Sequence, residues 1–254
     1  MQVKATPAIR AMAKQLNVDL TQISGTGPQH AITREDVQKA AVPQASKSLH
    51  GARRAMAKVM TEAHAQIVPV TIYDDANINN WIPGTDITVR TIRAIVKACQ
   101  AEPALNAWYK NNEHQLHSHV NLGLAMDTTD GLFVPVLSEV DTLLTTPQKI
   151  REQVNHYKKV VEERSVKPAE LQGATFTLSN FGMFAGRYAN PIIVPPQVGI
   201  LATGKIRDVV LAINGEPKVQ RIMPLSLTFD HRAATGGEAT RFLAAIMADL
   251  TLSE

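Results

Sequence analysis

Residues 209–230 constrain the fold more than any other stretch of this chain. The apolar run Val209-Val210-Leu211-Ala212-Ile213 meets Asn214-Gly215, a pair suited to a two-residue turn in which both residues take positive φ. The returning segment alternates. Met223, Leu225, Leu227 and Phe229 fall on one face, and Pro224, Ser226, Thr228 and Asp230 on the other. A period of two predicts a strand with unlike faces. The chain must therefore build a sheet and cover at least one side of it.

Helical signals supply the cover. Ile92, Ile95, Val96 and Cys99 mark one helix face, closed by Pro103. Thr146-Pro147 opens a helix whose apolar face is Ile150, Val154, Tyr157 and Val161. A last helix carries Phe242, Leu243, Ile246, Met247 and Leu250. Between them VPVTIYDD, VNLGLAMDT, LFVPVL, ATFTLSN and VGILATGKIRD read as strands, and residues 52–64 as a basic helix. The reading is an α/β (α+β) fold, and 254 residues with 44% apolar content are enough for one sizeable core plus a small satellite.

The satellite is residues 4–41. Thr6 can cap a helix that starts at Pro7, with Ile9, Met12, Ala13 and Leu16 at helical spacing. A tight loop, Ser24-Gly25-Thr26-Gly27-Pro28, precedes a second helix at Thr33, with Asp36 placed for a capping box. Residues 42–50 (Pro43, Gln44, Ala45, Ser46, Lys47, Ser48) lack apolar periodicity and read as a linker. Residues 51–254 form the main domain.

Composition narrows the function. No apolar run approaches a membrane span, and a net charge of +3 spread along the chain does not argue for nucleic acid. Cys99 is the single cysteine, which excludes an internal disulfide and fits a cytoplasmic setting. His114, His117 and His119 lack metal-ligand spacing and have only Glu113 as an acidic neighbour, so they read as a polar turn and no metal site is expected. No Gly-x-Ser-x-Gly elbow occurs.

Two features can carry chemistry. The alternating strand runs into Asp230-His231-Arg232-Ala233-Ala234-Thr235-Gly236-Gly237. A histidine where a strand meets a glycine-bearing turn combines a fixed position with access, although a lone histidine is more often satisfied by local hydrogen bonds. The second is Thr177-Leu178-Ser179-Asn180-Phe181-Gly182, a strand ending in a small hydroxyl residue, which alone is an ordinary polar strand end.

Together with TFTLSNFGMFAGRYANPIIVPPQVGILATGKI, MPLSLTFDHRAATGG, Asn121–Asp127, Gly131–Val136 and the Arg53–Met60 helix, these features resemble the catalytic domain of the dihydrolipoamide acyltransferases. These are the E2 core subunits of 2-oxo acid dehydrogenase complexes, with the chloramphenicol acetyltransferase fold. Independently, TPAIRAMAKQLNVDL, Gly25-Thr26-Gly27 and ITREDV resemble that family's peripheral subunit-binding domain. The resemblance implies a mixed sheet flanked by helices and transfer of an acyl group, acetyl by default, between a dihydrolipoyl thiol and CoA. It implies His231 as general base, Ser179 as oxyanion donor, and Asn180, Thr235 and Gly236 as supporting residues. It also implies a homotrimer with sites between subunits, free or assembled into a larger cubic or icosahedral core. Arg10 and Lys14 would grip an acidic patch on an E1 or E3 enzyme, and Asp36 would hold the glycine loop.

The match departs from the family in three places. Thr235 stands where the family has Asp or Asn, and it can hydrogen-bond but cannot neutralise a charge. Gln29-His30-Ala31 lacks a third basic contact, and the segment after Asp74-Asp75 is short. No lipoyl-type hairpin motif lies upstream, so a truncated subunit, or a lipoyl domain supplied by another chain, is expected. A chain of this kind without turnover would be a scaffold organising partner enzymes.

Overall fold

The computed structural model describes residues 4–16, 18–41, 49–129, 131–183 and 185–253. The linker residues from Pro43 to Ser48 lie outside them. The chain divides into two compact units, residues 1–49 and 50–254.

The first unit has two helices, α1 (Pro7–Gln15) and α2 (Arg34–Ala41). Thr6 caps α1, its hydroxyl accepting from the Ile9 amide at 3.4 Å. Ala13, Ile32 and Val37 are buried, with Ile9, Met12, Val18, Leu20 and Ile23 against them. So small a core needs a polar brace, and Asp36 provides it. Its carboxylate accepts from the Thr26 amide (3.0 Å), the Thr26 hydroxyl (2.8 Å) and the Thr33 amide (2.9 Å). The Thr33 hydroxyl in turn accepts from the Asp36 amide at 3.2 Å, completing the capping box. These donors hold the Asp36 carboxyl well below the usual carboxylate range, the Thr26 amide contributing most. A Cβ at Gly25 would lie 2.4 Å from the His30 carbonyl oxygen, so the loop closes only with glycine there.

The second unit runs α3 (Gly51–Gln66), β1 (Pro69–Asn77), α4 (Ile87–Ala101), β2 (Ala107–Lys110), β3 (Glu113–Leu116), β4 (Leu122–Thr128), β5 (Gly131–Phe133) and β6 (Val136–Leu137). It continues with α5 (Pro147–Glu162), β7 (Phe176–Asn180), β8 (Gly199–Thr203), β9 (Arg207–Ile213), β10 (Glu216–Asp230) and α6 (Gly236–Leu250). The main sheet has the order β1-β10-β8-β7-β4-β5, with β6 on β4 and β9 on β10. The β4–β7 and β7–β8 pairs are parallel and the others antiparallel. The expected mixed sheet with flanking helices is present. The hairpin turn has φ of 54° at Asn214 and 83° at Gly215, as the dipeptide predicts.

Met223, Leu225, Leu227 and Phe229 share one core with Ile92, Ile95, Leu178, Leu201, Phe242 and Ile246. Each such side chain contributes about 1.5–3 kcal/mol on burial. The polar face of β10 is buried as well: Ser226, Thr228 and Asp230 are each 1% exposed. Their polar atoms are matched. Ser226 Oγ accepts from the Ala189 amide at 3.2 Å, and Thr228 Oγ1 lies 2.8 Å from Thr71 Oγ1. The short segment after β1 ties the C-terminal helix, as Trp81 Nε1 donates to the Leu250 carbonyl at 2.6 Å. Among the described residues no helix is long and apolar enough to cross a membrane, and no group of three or more His, Cys, Asp or Glu could hold a metal ion.

Candidate active site

β10 ends at Asp230 and α6 begins at Gly236, so His231 opens a five-residue turn. Backbone bonds fix that turn. The His231 amide donates to the Val68 carbonyl at 2.9 Å, and the Ala233 and Ala234 amides donate to the Asp230 carbonyl at 2.9 and 3.0 Å. The Asp230 carboxylate accepts from the Arg232 amide at 3.1 Å, folding the chain around His231 as an Asx turn. The Arg232 side chain closes the same carboxylate, Nε at 3.0 and 3.1 Å and Nη2 at 2.6 Å. Its guanidinium lies 4.8 Å from the centroid of the Tyr109 ring. The hydrogen bond to Asp230 pushes the arginine's pKa up. The His231 side chain is exposed, with its ring 5.5 Å from that of Phe229.

Thr235 is the N-cap of α6. Its hydroxyl accepts from the Glu238 amide at 3.3 Å, and Glu238 Oε2 accepts from the Thr235 amide at 2.7 Å and the Thr235 hydroxyl at 2.8 Å. The Thr235 amide is the main cause of a lowered Glu238 pKa. Gly236 is the first residue of α6, and a Cβ there would meet nothing within 4 Å.

Ser179 lies half-buried near the end of β7, opposite Ala125 of β4 and Ala202 of β8. Asn180 ends the strand, its Oδ1 accepting from the Gly182 amide at 3.1 Å. Beyond it the backbones touch, since a Cβ at Gly182 would lie 2.3 Å from the Gly204 carbonyl oxygen. A cavity of about 620 Å³ opens beside Asn180, lined in part by Lys205, Arg207, Asp208 and Arg221. Another of about 420 Å³ lies beside Arg232, lined in part by Gln66, Tyr109, Asn112 and Pro196.

The register shows that one chain does not bring Ser179 and His231 together. Ala202, opposite Ser179, is also opposite Ser226 of β10. His231 lies five residues further along, about 17 Å at roughly 3.4 Å per residue. The two residues belong to opposite ends of the sheet.

Asp230, Arg232, Tyr109 and Glu238 escaped the sequence reading. The Thr235-x-x-Glu238 spacing is a legible capping box. An Asp-x-Arg sequence is also a local signal, but only the fold reveals that the aspartate is buried. Arg10 and Lys14 are both exposed on α1, with Arg10 Nε donating to the Ala5 carbonyl at 3.2 Å.

A mixed sheet backed by helices, with a histidine turn at the end of one long strand, is a fold of the chloramphenicol acetyltransferase type. A chloramphenicol acetyltransferase structure superposes with a TM-score of 0.51 at 12% identity, over 80% of this chain and 98% of that one. The structure of a probable dihydrolipoamide acetyltransferase from Listeria monocytogenes superposes with a TM-score of 0.77 at 23% identity, over 82% of this chain and 94% of that one. The family model of the 2-oxoacid dehydrogenases acyltransferase catalytic domain matches residues 42–251, and this chain belongs to that family. The model of the E3 binding domain matches residues 3–38. The dihydrolipoyllysine-residue acetyltransferase component of the acetoin cleaving system of Bacillus subtilis (strain 168) is 33% identical, over 96% of this chain and 68% of its own length. The chain thus spans about two thirds of that relative.

Proposed function

We propose that this chain transfers an acyl group, acetyl as the principal one, between a dihydrolipoyl thiol and CoA, with His231 as general base and Ser179 as oxyanion donor. The observation that carries the reading is the His231 turn. In a chain of the acyltransferase family, an exposed imidazole sits on a backbone pinned by hydrogen bonds before, at and after it.

A thiol with pKa near 8.5 is mostly protonated at neutral pH. The His231 imidazole takes that proton as the sulfur attacks the thioester carbonyl. The carbonyl oxygen becomes an oxyanion, to which the Ser179 hydroxyl donates. Collapse expels the second thiolate, which recovers the proton from the imidazolium. No acyl-enzyme forms, and neither residue acts as a nucleophile.

Because the two residues lie at opposite ends of one sheet, the reading requires copies of the chain to meet, His231 from one and Ser179 from its neighbour. A homotrimer, free or within a larger cubic or icosahedral core, supplies that pairing. The cations beside Asn180 suit the phosphates of CoA. Residues 4–41 are assigned to docking an E1 or E3 enzyme, with Arg10 and Lys14 on an acidic patch of the partner and Asp36 as a structural brace.

The test is transfer from acetyl-CoA to free dihydrolipoamide. The unmutated protein turns over, and His231→Ala loses 10²–10⁴-fold in kcat, the usual range for a general base. An unmutated protein without turnover refutes the enzyme reading in favour of a scaffold, and a fully active His231→Ala refutes the assignment of the base.

A further inference from the structure

We propose that Arg232 is a positioning residue for the transfer reaction, clamping the His231 turn between Asp230 and Tyr109. The proposal rests on His231 being the base.

The argument begins with Asp230. Its side chain is 1% exposed, and it is the anionic half of an ion pair whose other half, Arg232, is 37% exposed. A carboxylate so buried needs partners for both oxygens. Arg232 supplies three side-chain contacts and one amide, and the Val68 amide adds a longer one at 3.4 Å. Core stability alone does not call for this arrangement, because two apolar side chains of similar volume would serve as well. What the pair adds is direction. The carboxylate that grips the guanidinium also accepts from the Arg232 amide, so His231 is the middle residue of a loop closed at both ends by one side chain.

The other side of the guanidinium fixes the turn to the rest of the fold. Tyr109 lies beneath it, and Tyr109 is itself held, its amide donating to the Pro196 carbonyl at 2.8 Å. The neighbouring bonds run from the Val198 amide to the Ala107 carbonyl (3.2 Å) and from the Asp230 amide to the Val198 carbonyl (2.9 Å). β2, the 196–198 segment and the end of β10 are thus laced together, and Arg232 spans the lacing from the side chains. Within one chain the imidazole is exposed, so the aim that this chain gives it depends on this backbone rather than on packing around the ring.

Without Arg232 the buried carboxylate must take up a proton or draw in water. Either change weakens its hold on the Arg232-position amide, and the Asx turn relaxes. A base displaced by about 1 Å loses on the order of 100-fold in rate. The loss falls on kcat, because the clamp acts through the turn that carries the base.

The experiment compares Arg232→Gln, Asp230→Asn/Arg232→Gln, Tyr109→Ala and His231→Ala in the full chain, measuring kcat and KM for acetyl-CoA and dihydrolipoamide together with thermal melting. Arg232→Gln is expected to lower kcat about 100-fold with both KM values within threefold. The double variant, which replaces the stranded carboxylate by a neutral hydrogen-bonding pair, is expected to recover at least about tenfold of that loss. Tyr109→Ala, which leaves the ion pair but removes the surface under it, is expected to cost about three- to tenfold in kcat, and it carries the test if Arg232→Gln does not fold. An Arg232→Gln enzyme within threefold of the unmutated kcat, a double variant no faster than the single one, or an unchanged Tyr109→Ala overturns the proposal. His231→Ala separates the two layers: if it stays active the base assignment fails, whereas an inactive His231→Ala beside an unaffected Arg232→Gln sinks only the clamp.

Discussion

Two inactive variants, His231→Ala and Ser179→Ala, should make active enzyme when their subunits are mixed. The geometry sets the size of the effect. Ser179 and His231 are about 17 Å apart along the strands, with two strand spacings of roughly 4.8 Å between them sideways. That places them about 19 Å apart in one chain, whereas a reacting carbon must lie about 3 Å from both groups. On the proposed roles, each working site therefore takes its histidine from one chain and its serine from the next. In a closed ring of head-to-tail contacts, an equal random mixture of the two variants gives a site an intact histidine with probability one half and an intact serine with probability one half. About a quarter of the sites are then complete, whatever the number of subunits in the ring. The parents set the background: losing the base costs 10²–10⁴-fold, and losing one oxyanion donor costs about 10²–10³-fold. Once rings of a single variant are removed, a mixed trimer keeps one complete site of three, so recovery to about a third of unmutated turnover stands well above about 1%. The variants are coexpressed with different tags, hybrids carrying both tags are purified, and acetyl transfer from acetyl-CoA to dihydrolipoamide is followed. Hybrids no faster than the mean of the two parents would refute the reasoning, and would mean that the two residues do not share a site across chains.

Four further outcomes are expected. Thr235→Ala removes the cap of α6 and should cost about 1 kcal/mol, lowering Tm by about 2–4 °C in a domain of this size; an unchanged melt would mean that the cap is not stabilising. Lys205→Glu or Arg221→Glu, in the cavity beside Asn180, should each raise KM for CoA by about tenfold, roughly 1.4 kcal/mol, and less so at high salt; a rise in KM for dihydrolipoamide instead would put CoA at the other end. The hydrogen bond that His119 donates to the Asp141 carboxylate raises the pKa of His119 above its ordinary 6.5, so this contact stabilises the folded state fully below about pH 6.5. The stabilisation fades as pH climbs through the raised folded value, so the Tm gap between the unmutated protein and His119→Gln should close with rising pH, and a gap that widens contradicts the assignment. Burial, with the Asp141 charge second, pushes the Cys99 thiol up, so it should resist thiol reagents at pH 8 and react in step with urea unfolding; rapid labelling of the native protein would show that it is accessible.

The framework of the fold was legible because periodicity reports which side of an element meets apolar neighbours. The helix face Ile92, Ile95, Val96, Cys99 is buried, and Asn214-Gly215 makes its turn with both φ values positive. The alternation in β10 was readable too, but its consequence was not. Ser226 and Thr228 are buried as deeply as Leu225 and Leu227, because Ala189 and Thr71 reach them from segments 37 and 157 residues away in the chain. Periodicity registers the polarity of a side chain, whereas burial of a hydroxyl depends on a partner that only the tertiary fold supplies.

The candidate site divides along the same line. Thr235 looked like a weakened support when read as a replacement for a carboxylate. In the fold a carboxylate is still bound to it, brought by Glu238 one helical turn on, so the turn keeps its polar anchor while its position in the sequence shifts by three residues. Likewise Asp230 and Arg232 flank His231 as ordinary charges, and their strength as a clamp arises only because Asp230 is buried against β1 and Arg232 rests on Tyr109. Local geometry around His231 is thus a property of one chain. With Ser179 in its proposed role, the distance between the two makes the completed site a property of at least two chains, and no reading of a single sequence by period or motif spacing measures that distance. It follows from strand register, which places Ser179 level with Ser226 and leaves His231 five residues beyond it.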